Sequence, residues 1–378
     1  MTSSFINTIL KKEEPWCNLM GYFNPYIDPF KTHLTSNMPV FDGKAYEKYP
    51  NHNFVYDKLW IIKSQGLLGG NLENLKGKEN KLEYPIFIKP RWGHLSASSK
   101  NCFKIKDANE LKSHNAYKKK DMIWSEFIDA KEGMTDYIIL NGKIVHQITY
   151  IYSDKQNGFT DDWKYISPES NPPAIITEWV NTHIQNYTGV VNVQYRATKI
   201  IEVGLRLARA GAYLLSTENS DLIKNVNSIF DKKTWDFTLQ NKLKFKPFYV
   251  FKCFTTLPIV YLLPQHVLDY VVKNNTHWPF YEYYFEPAGK EGMVFLQFID
   301  DDFERGIQTK EKIQVWFNYT QIIAYLLILT LCVVPFFQFR GKYIIITTIV
   351  LLLLTRFLNP MMANYNLYKG QRQALFSN

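Results

Sequence analysis

The apolar positions along the chain change period several times, and the changes delimit its elements. Residues 54–67 (FVYDKLWIIKSQGL) place Leu59, Ile62 and Leu67 near a helical repeat, with Gly66 where such a helix stops. Gly69-Gly70 then reads as a turn. Residues 85–90 (PIFIKP) form a short apolar run ending in Lys-Pro, the pattern of a buried strand. A loop of small residues, 91–100 (RWGHLSASSK), follows. A strand at NCFKI and a helix at DANELKSH come next, and Asp107 and Glu110 have the spacing of a capping box. Strands are expected around residues 122–128, 136–140 and 143–150, the last two joined by the hairpin signal Asn141-Gly142. Polar, Pro-containing residues 153–173 read as loop and 174–185 as helix, while 189–196 and 199–203 read as two strands joined by a short turn.

The two ends differ from this middle. Residues 1–50 are rich in Pro, Asn, Tyr and Phe with weak periodicity, and read as an irregular extension. Residues 246–310 have the pattern of a further α+β unit, with a strand at 293–299. Residues 322–339 (IIAYLLILTLCVVPFFQF) are nearly all apolar. About 18 helical residues span about 27 Å, close to the thickness of a hydrocarbon core. A second run, Tyr343–Leu358, is interrupted by Arg356 and fits a second span, a re-entrant segment or an interfacial helix. A buried core helix is the alternative for both runs. The expected organisation is a short N-terminal region (1–53), a main domain (54–245), an accessory α+β lobe (246–315), membrane-embedded helices (320–358) and a polar tail (359–378).

Composition narrows the classes. The chain has 378 residues, 46% hydrophobic and 21% charged, enough apolar material for a folded catalytic unit. The net charge is +9, but the lysines are scattered and no basic–aromatic pattern points to a nucleic-acid partner. Cys17, Cys102, Cys253 and Cys332 lie far apart without a CxxC, against a zinc site or disulfide framework and in keeping with a reducing compartment. The eight histidines form no HxH or HExxH, and there is no GxSxG.

Some polar positions carry chemistry. Lys89 ends a strand beside a loop with Gly93, Ser96 and Ser98. Small residues let backbone N–H groups approach phosphate oxygens, which a nearby lysine neutralises. A Lys-Pro before a Gly/Ser loop is also an ordinary surface turn. Gln194 and Glu202 fall on adjacent strands, where their oxygens could meet one Mg²⁺; the alternative is the polar face of a hairpin. Arg206 and Arg209 follow, and cations beside a metal suit a transferring phosphoryl group.

The order of these pieces resembles the ATP-grasp superfamily of carboxylate–amine or carboxylate–thiol ligases. Asp57-Lys58-Leu59 resembles its "DK" element. Ile88-Lys89-Pro90 with Gly93 and Ser96 is similar to "KPxxGxxS". Glu126-Phe127-Ile128-Asp129-Ala130-Lys131-Glu132 is similar to the "EFIxGxE" hinge, and Asp136 follows at the spacing the family often shows. Asn192-Val193-Gln194 and Ile201-Glu202-Val203 resemble the paired metal-binding strands, in the Gln/Glu form of the carbamoyl-phosphate-synthetase-like branch. Arg206 falls where the arginine of "ExNPR" lies. The resemblance covers somewhat under half of the chain.

The resemblance implies an α+β fold of two lobes that clasp ATP, and the apolar runs add a C-terminal transmembrane helical hairpin. It implies ATP and Mg²⁺ as ligands. Lys58, Lys89, Gly93, Ser96, Ser98, Glu126, Phe127, Ile128 and Glu132 would meet ATP. Gln194 and Glu202 would hold the metal, and Arg206 and Lys89 would serve catalysis. The implied activity is an ATP-dependent ligase that forms an acyl phosphate and passes the acyl group to an amine or thiol. Its partners would be a small-molecule carboxylate, the acceptor and membrane lipid, with the catalytic domain facing the cytosol. Three positions depart from the family pattern: Gly204 replaces an Asn, Leu205 a Pro, and Ala130 a common Gly. Gly204 removes one oxygen ligand, which favours a second reading: a catalytically silent ATP-binding or scaffold protein at a membrane.

Overall fold

The computed structural model describes residues 34–39, 41–95, 101–153, 162–167, 170–208, 214, 221–257, 265–277, 281–287 and 292–338. The described chain divides into two compact units, residues 34–248 and residues 249–338.

The first unit begins with helix α1 (Asp42–Lys48), in a region whose sequence lacks a clear period. A short turn of tighter helix at 53–56 leads into α2 (Lys58–Ser64). Asp57 starts α2 as an N-cap, its carboxylate accepting from the N–H groups of Leu59 (3.0 Å) and Trp60 (3.4 Å). The first sheet is antiparallel in the order β1 (Gly69–Asn71), β4 (Met122–Glu126), β2 (Ile86–Pro90), β3 (Phe103–Ile105). Helix α3 (Ala108–Ser113) is capped by Asp107, and Glu110 reaches back to the Lys106 N–H at 2.7 Å. Leu72, Ile86, Ile88, Ile105 and Leu111 form the core of this lobe.

Five further strands lie side by side in the same unit. Their order is β7 (Trp163–Ser167), β6 (Lys143–Tyr152), β5 (Glu132–Leu140), β8 (Gly189–Arg196), β9 (Lys199–Gly204), each pair antiparallel. Asn141 (φ 49°) and Gly142 (φ 76°) make the β5–β6 hairpin turn. Helix α4 (Ala174–His183) covers the sheet, and Tyr137, Ile139, Ile176, Val180, Val191 and Val193 fill the space between. Two further helices, α5 (Asp221–Lys232) and α6 (Phe237–Gln240), complete the unit.

Helix α2 is the wedge between the two sheets. Ile61 joins the core of the larger lobe. Leu59 and Ile62 pack against Ile123 of β4. Gln65, just past its end, exchanges two hydrogen bonds with the backbone of Ile200, at 2.9 Å and 2.7 Å, and so satisfies the edge strand β9.

The other unit holds β10 (Phe248–Thr255), α7 (Gln265–Asn275), β11 (Tyr281–Pro287), β12 (Met293–Asp300) and α8 (Phe303–Gln338). Strand β12 pairs with both β10 and β11. Phe317 of α8 stacks on Phe295 of β12 with ring centroids 3.7 Å apart.

Three expectations are corrected. Gly69-Gly70 lies in a strand rather than a turn, because only a bare backbone fits so close to β4. Residues 153–173 are not all loop: Trp163–Ser167 pairs with β6. The localisation at a membrane with a cytosol-facing domain is overturned: among the described residues no helix is long and apolar enough to cross a membrane. The first apolar run continues a helix that carries Glu304, Arg305, Lys310, Glu311 and Lys312, and Ile313, Phe317, Gln321 and Ala324 along it are buried. The second apolar run, Tyr343–Leu358, lies outside the described residues.

A Cβ on Gly69 would lie 2.7 Å from the Trp124 carbonyl oxygen and 2.9 Å from Ile62 of α2. Gly69→Ala should therefore lower the urea midpoint by an amount equivalent to about 1–3 kcal/mol. Gly66→Ala, at φ +69° with open space around it, should cost only about 1 kcal/mol. An unchanged midpoint for Gly69→Ala would contradict the seating of α2 on this sheet.

Candidate functional site

Lys58 is the first residue of α2 and is buried, because α2 is wedged between the two sheets. Its Nζ lies 3.2 Å from Glu202 Oε1, with the two side chains 5% and 38% exposed. Its N–H donates to the Arg91 carbonyl at 2.9 Å. Arg91 in turn binds the capping Asp57 through two hydrogen bonds, Nε to Oδ1 at 2.8 Å and Nη2 to Oδ2 at 2.5 Å. The aspartate of the Asp-Lys pair therefore builds the helix start, and the lysine alone faces the site.

Lys89 reaches the same place from the end of β2. It is buried, and its Nζ donates to the Ile201 carbonyl of β9 at 2.8 Å. Burial, reinforced by the charge of Lys58, pulls its pKa down to about 8, while Glu202 opposes the shift. Cys102 belongs to this group as well: burial pushes its thiol up, and Lys58, Glu202 and Lys89 are close enough for their charges to act on it.

Gln194 and Glu202 are cross-strand partners in the β8–β9 register, so both point to one face of the hairpin. Gln194 Nε2 lies 3.8 Å from Met134 Sδ. Gly93 sits in a short turn over this face, where a Cβ would come within 3.4 Å of the Tyr56 ring and 3.5 Å of Glu202 Oε1. His94 beside it stacks on Tyr46 at 3.7 Å, and burial pulls its pKa down to about 4. It is a neutral packing group, not a phosphate cation. Ser96 and Ser98 lie outside the described residues.

The hinge residues are engaged with the scaffold. Glu126 Oε1 accepts from the Leu68 N–H at 3.1 Å, and the Phe127 N–H donates to the Pro85 carbonyl at 3.3 Å. Lys104 Nζ sits 3.8 Å above the Phe127 ring. Glu132 opens β5, and its Oε2 meets Arg196 Nη2 at 3.2 Å, while Arg196 Nη1 donates to the Ile128 carbonyl at 3.3 Å. Arg196 thus ties Glu132 and Ile128 together, and its charge acts on Lys89.

Arg206 is held elsewhere than expected. Its Nη2 lies 2.6 Å from Asp42 Oδ2, and its Nη1 donates to the Leu207 carbonyl at 3.0 Å. The loop that carries it is anchored by Asp136 of β5. That buried carboxylate accepts from the Tyr150 hydroxyl (2.5 Å), Asn192 Nδ2 (2.7 Å) and the Ala208 N–H (3.1 Å). Burial outweighs these hydrogen bonds and pushes the Asp136 pKa up to about 6.

The structure therefore brings Lys58, Lys89, Gly93, Gln194 and Glu202 together and joins Glu132 to Ile128 through Arg196. Glu126 and Arg206 are instead bonded to Leu68 and Asp42. Sequence reasoning did not single out Asp42, Tyr56, Arg91 or Cys102. Asp42 lies in a segment without a period, and the reach of Arg91 back to Asp57 leaves no local signature.

Two lysines against one carboxylate suit a polyanion, and a carboxylate facing an amide suits a hard cation brought in on phosphates. Among the described residues, no three His, Cys, Asp or Glu side chains are grouped to hold a metal by themselves. A magnesium ion here would draw the rest of its oxygen ligands from the nucleotide and water.

A scan against models of known protein families found no match, and neither did a search of curated proteins. Solved structures do match. The carboxyaminoimidazole ribonucleotide synthase of Aspergillus clavatus, complexed with ATP, aligns with a TM-score of 0.50 at 12% identity, over 73% of this chain and 80% of that one. The L-amino acid ligase of Bacillus licheniformis aligns at 0.48 and 15% identity, over 71% of each chain. The phosphoribosylamine–glycine ligase of Thermotoga maritima aligns at 0.47 and 11% identity, over 69% and 76%. The likeness to the first concerns the fold alone: a mixed helix-and-sheet architecture of the ATP-grasp kind.

Because the folded pKa of Asp136 is raised, the folded chain holds its proton more tightly than the unfolded chain. This contribution to stability is complete below about pH 4 and is lost as pH rises through about 6. Asp136→Asn does not titrate. Between pH 4 and pH 7 the stability difference should shift toward the variant by about 3 kcal/mol, read from urea unfolding at several pH values. A pH-independent difference would show that the carboxyl titrates normally.

Proposed function

We propose that the chain is an ATP-dependent ligase that activates a small-molecule carboxylate as an acyl phosphate and transfers the acyl group to an amine or thiol. The observation that carries this reading is the convergence of two buried lysines, Lys58 and Lys89, on Glu202 at the seam of an ATP-grasp fold. Burying two like charges is unfavourable unless an anion is meant to join them. In this reading residues 54–245 handle the nucleotide, 246–315 form an accessory lobe and 1–53 a short N-terminal region.

Lys58 and Lys89 would neutralise the triphosphate, with Gly93 and the serines Ser96 and Ser98 lining the phosphate loop. Glu126, Phe127 and Ile128 would border the adenine, and Glu132 the ribose hydroxyls. Gln194 and Glu202 would hold magnesium against the phosphate oxygens, where its charge offsets that of the transferring group. A carboxylate oxygen of the substrate attacks the γ-phosphorus, and the bond to the β–γ bridging oxygen breaks with release of ADP. The amine nitrogen or thiol sulfur then attacks the acyl carbon, losing a proton as phosphate leaves. Arg206 would face the negative charge that builds on these oxygens. Such catalysis is mostly positioning and electrostatics.

Isothermal calorimetry on the full chain tests this. The wild type should bind MgATP. Lys89→Met should weaken binding by about 10- to 100-fold, the loss of one charge-assisted contact. Glu202→Gln should weaken it with magnesium present and much less with EDTA. A folded wild type that binds no nucleotide refutes the reading. Binding without ADP release across a panel of carboxylates and amines would indicate a silent nucleotide-binding protein.

A further inference from the structure

We propose that Asp42 is a positioning residue of this site: its carboxylate takes the space at the end of β9 that a side chain on residue 204 would fill, and from there it fixes the Arg206 guanidinium. The role of Arg206 rests on the nucleotide reading above; the place where it is held rests on geometry alone.

The first observation is the bare backbone at Gly204. A Cβ there would lie 3.0 Å from Asp42 Oδ1 and 3.9 Å from the Tyr56 hydroxyl. Gly204 does not adopt the positive φ that calls for glycine, so its missing side chain answers to space and not to backbone shape. Strands alternate their faces, so residue 204 shares the face of Glu202, two positions earlier. A polar side chain grown from β9 and the Asp42 carboxylate compete for one volume, and here the carboxylate has it.

The second observation is how the guanidinium is gripped. Asp42 Oδ2 accepts from Nη2 at 2.6 Å and the Leu207 carbonyl accepts from Nη1 at 3.0 Å. Opposite sides of a planar fork are thereby held, which fixes its orientation as well as its position. Both side chains are only about a quarter exposed, at 27% for Arg206 and 25% for Asp42. Water screens the pair partly, and a ligand can still reach it.

The third observation is the brace behind Asp42. The buried Tyr56 hydroxyl donates to Asp42 Oδ1 at 3.2 Å and accepts from the Leu205 N–H at 2.9 Å. One core tyrosine thus holds both the carboxylate and the backbone just before Arg206. Asp136 anchors the same loop on its other side, at the Ala208 N–H. Arg206 is therefore held in advance, with little reorganisation left when charge develops near it.

The test is the ratio of the MgADP to the MgATP dissociation constant, measured by calorimetry on the full chain. Taking the ratio within each variant cancels general damage to the nucleotide site. Asp42→Ala should lower the preference for ATP by about tenfold, approaching the ratio of Arg206→Ala. Asp42→Asn, which keeps the shape and an acceptor, should fall between. Gly204→Asn alone should also lower the ratio by displacing Asp42. In the Asp42→Ala background the same Gly204→Asn change should raise it, because an amide oxygen enters the vacated space and accepts from Arg206. A ratio untouched by Asp42→Ala, or no rescue in the double variant, overturns the proposal. Urea unfolding of the same four chains decides independently of nucleotide: Gly204→Asn should destabilise the wild type and be tolerated in Asp42→Ala. Additive effects there overturn the shared volume, whereas a wild type that binds neither nucleotide overturns only the ligase reading.

Discussion

A lysine ammonium buried at the seam of two sheets is the constraint on which the site depends. Lys58 cannot leave the seam, because α2 is wedged there by Ile61 on one side and by Leu59 and Ile62 on the other. A charge in such a place needs a partner. Glu202 supplies it at 3.2 Å, which fixes the register between α2 and β9. Gln65 reinforces that register by bonding both backbone groups of Ile200. Asp57 and Arg91 close the other end, so the first turn of α2 is tied to the segment that follows Lys89.

From that fixed point the remaining polar groups fall into order. Lys89 arrives at β9 from the neighbouring sheet, and its own burial and Lys58 make it hold its proton less tightly than a free lysine. Gly93 is bare where Tyr56 and Glu202 approach it. Beyond β9 the chain carries Arg206 on a loop with braces at both ends: Tyr56 and Asp42 before it, Asp136 after it. Each brace is a buried or half-buried group with its hydrogen-bond partners in place, as low-dielectric surroundings require.

The membrane expectation failed for a reason that is instructive about apolar runs. A window of eighteen apolar residues has the length of a span, but length alone does not decide whether a run packs on protein or enters a membrane. Here 322–338 continues a 36-residue helix whose earlier part is charged outside and packs Phe317 on β12. Of the run itself, Ala324 is buried, while Ile322, Ile323, Leu326, Leu327 and Leu329 are exposed. The missed strand Trp163–Ser167 and the strand at Gly69–Asn71 have a related cause. Both owe their extended state to a neighbouring strand, and local composition pointed to loop and turn.

Local periodicity determined the β5–β6 hairpin, the β8–β9 pair, the cap at Asp107 and the core faces of the central strands, because those features are written within a few residues of each other. The order of short motifs pointed to an ATP-grasp type of fold, and a solved structure of that kind aligns with the chain. Tertiary structure decided the rest. It set Glu202 against Lys58 across 144 positions and Arg206 against Asp42 across 164. It turned Glu126 and Asp57 from expected or adjacent site groups into scaffold bonds. Contacts at such separations depend on how helices and sheets pack, and packing is a property of the whole fold that no local pattern encodes.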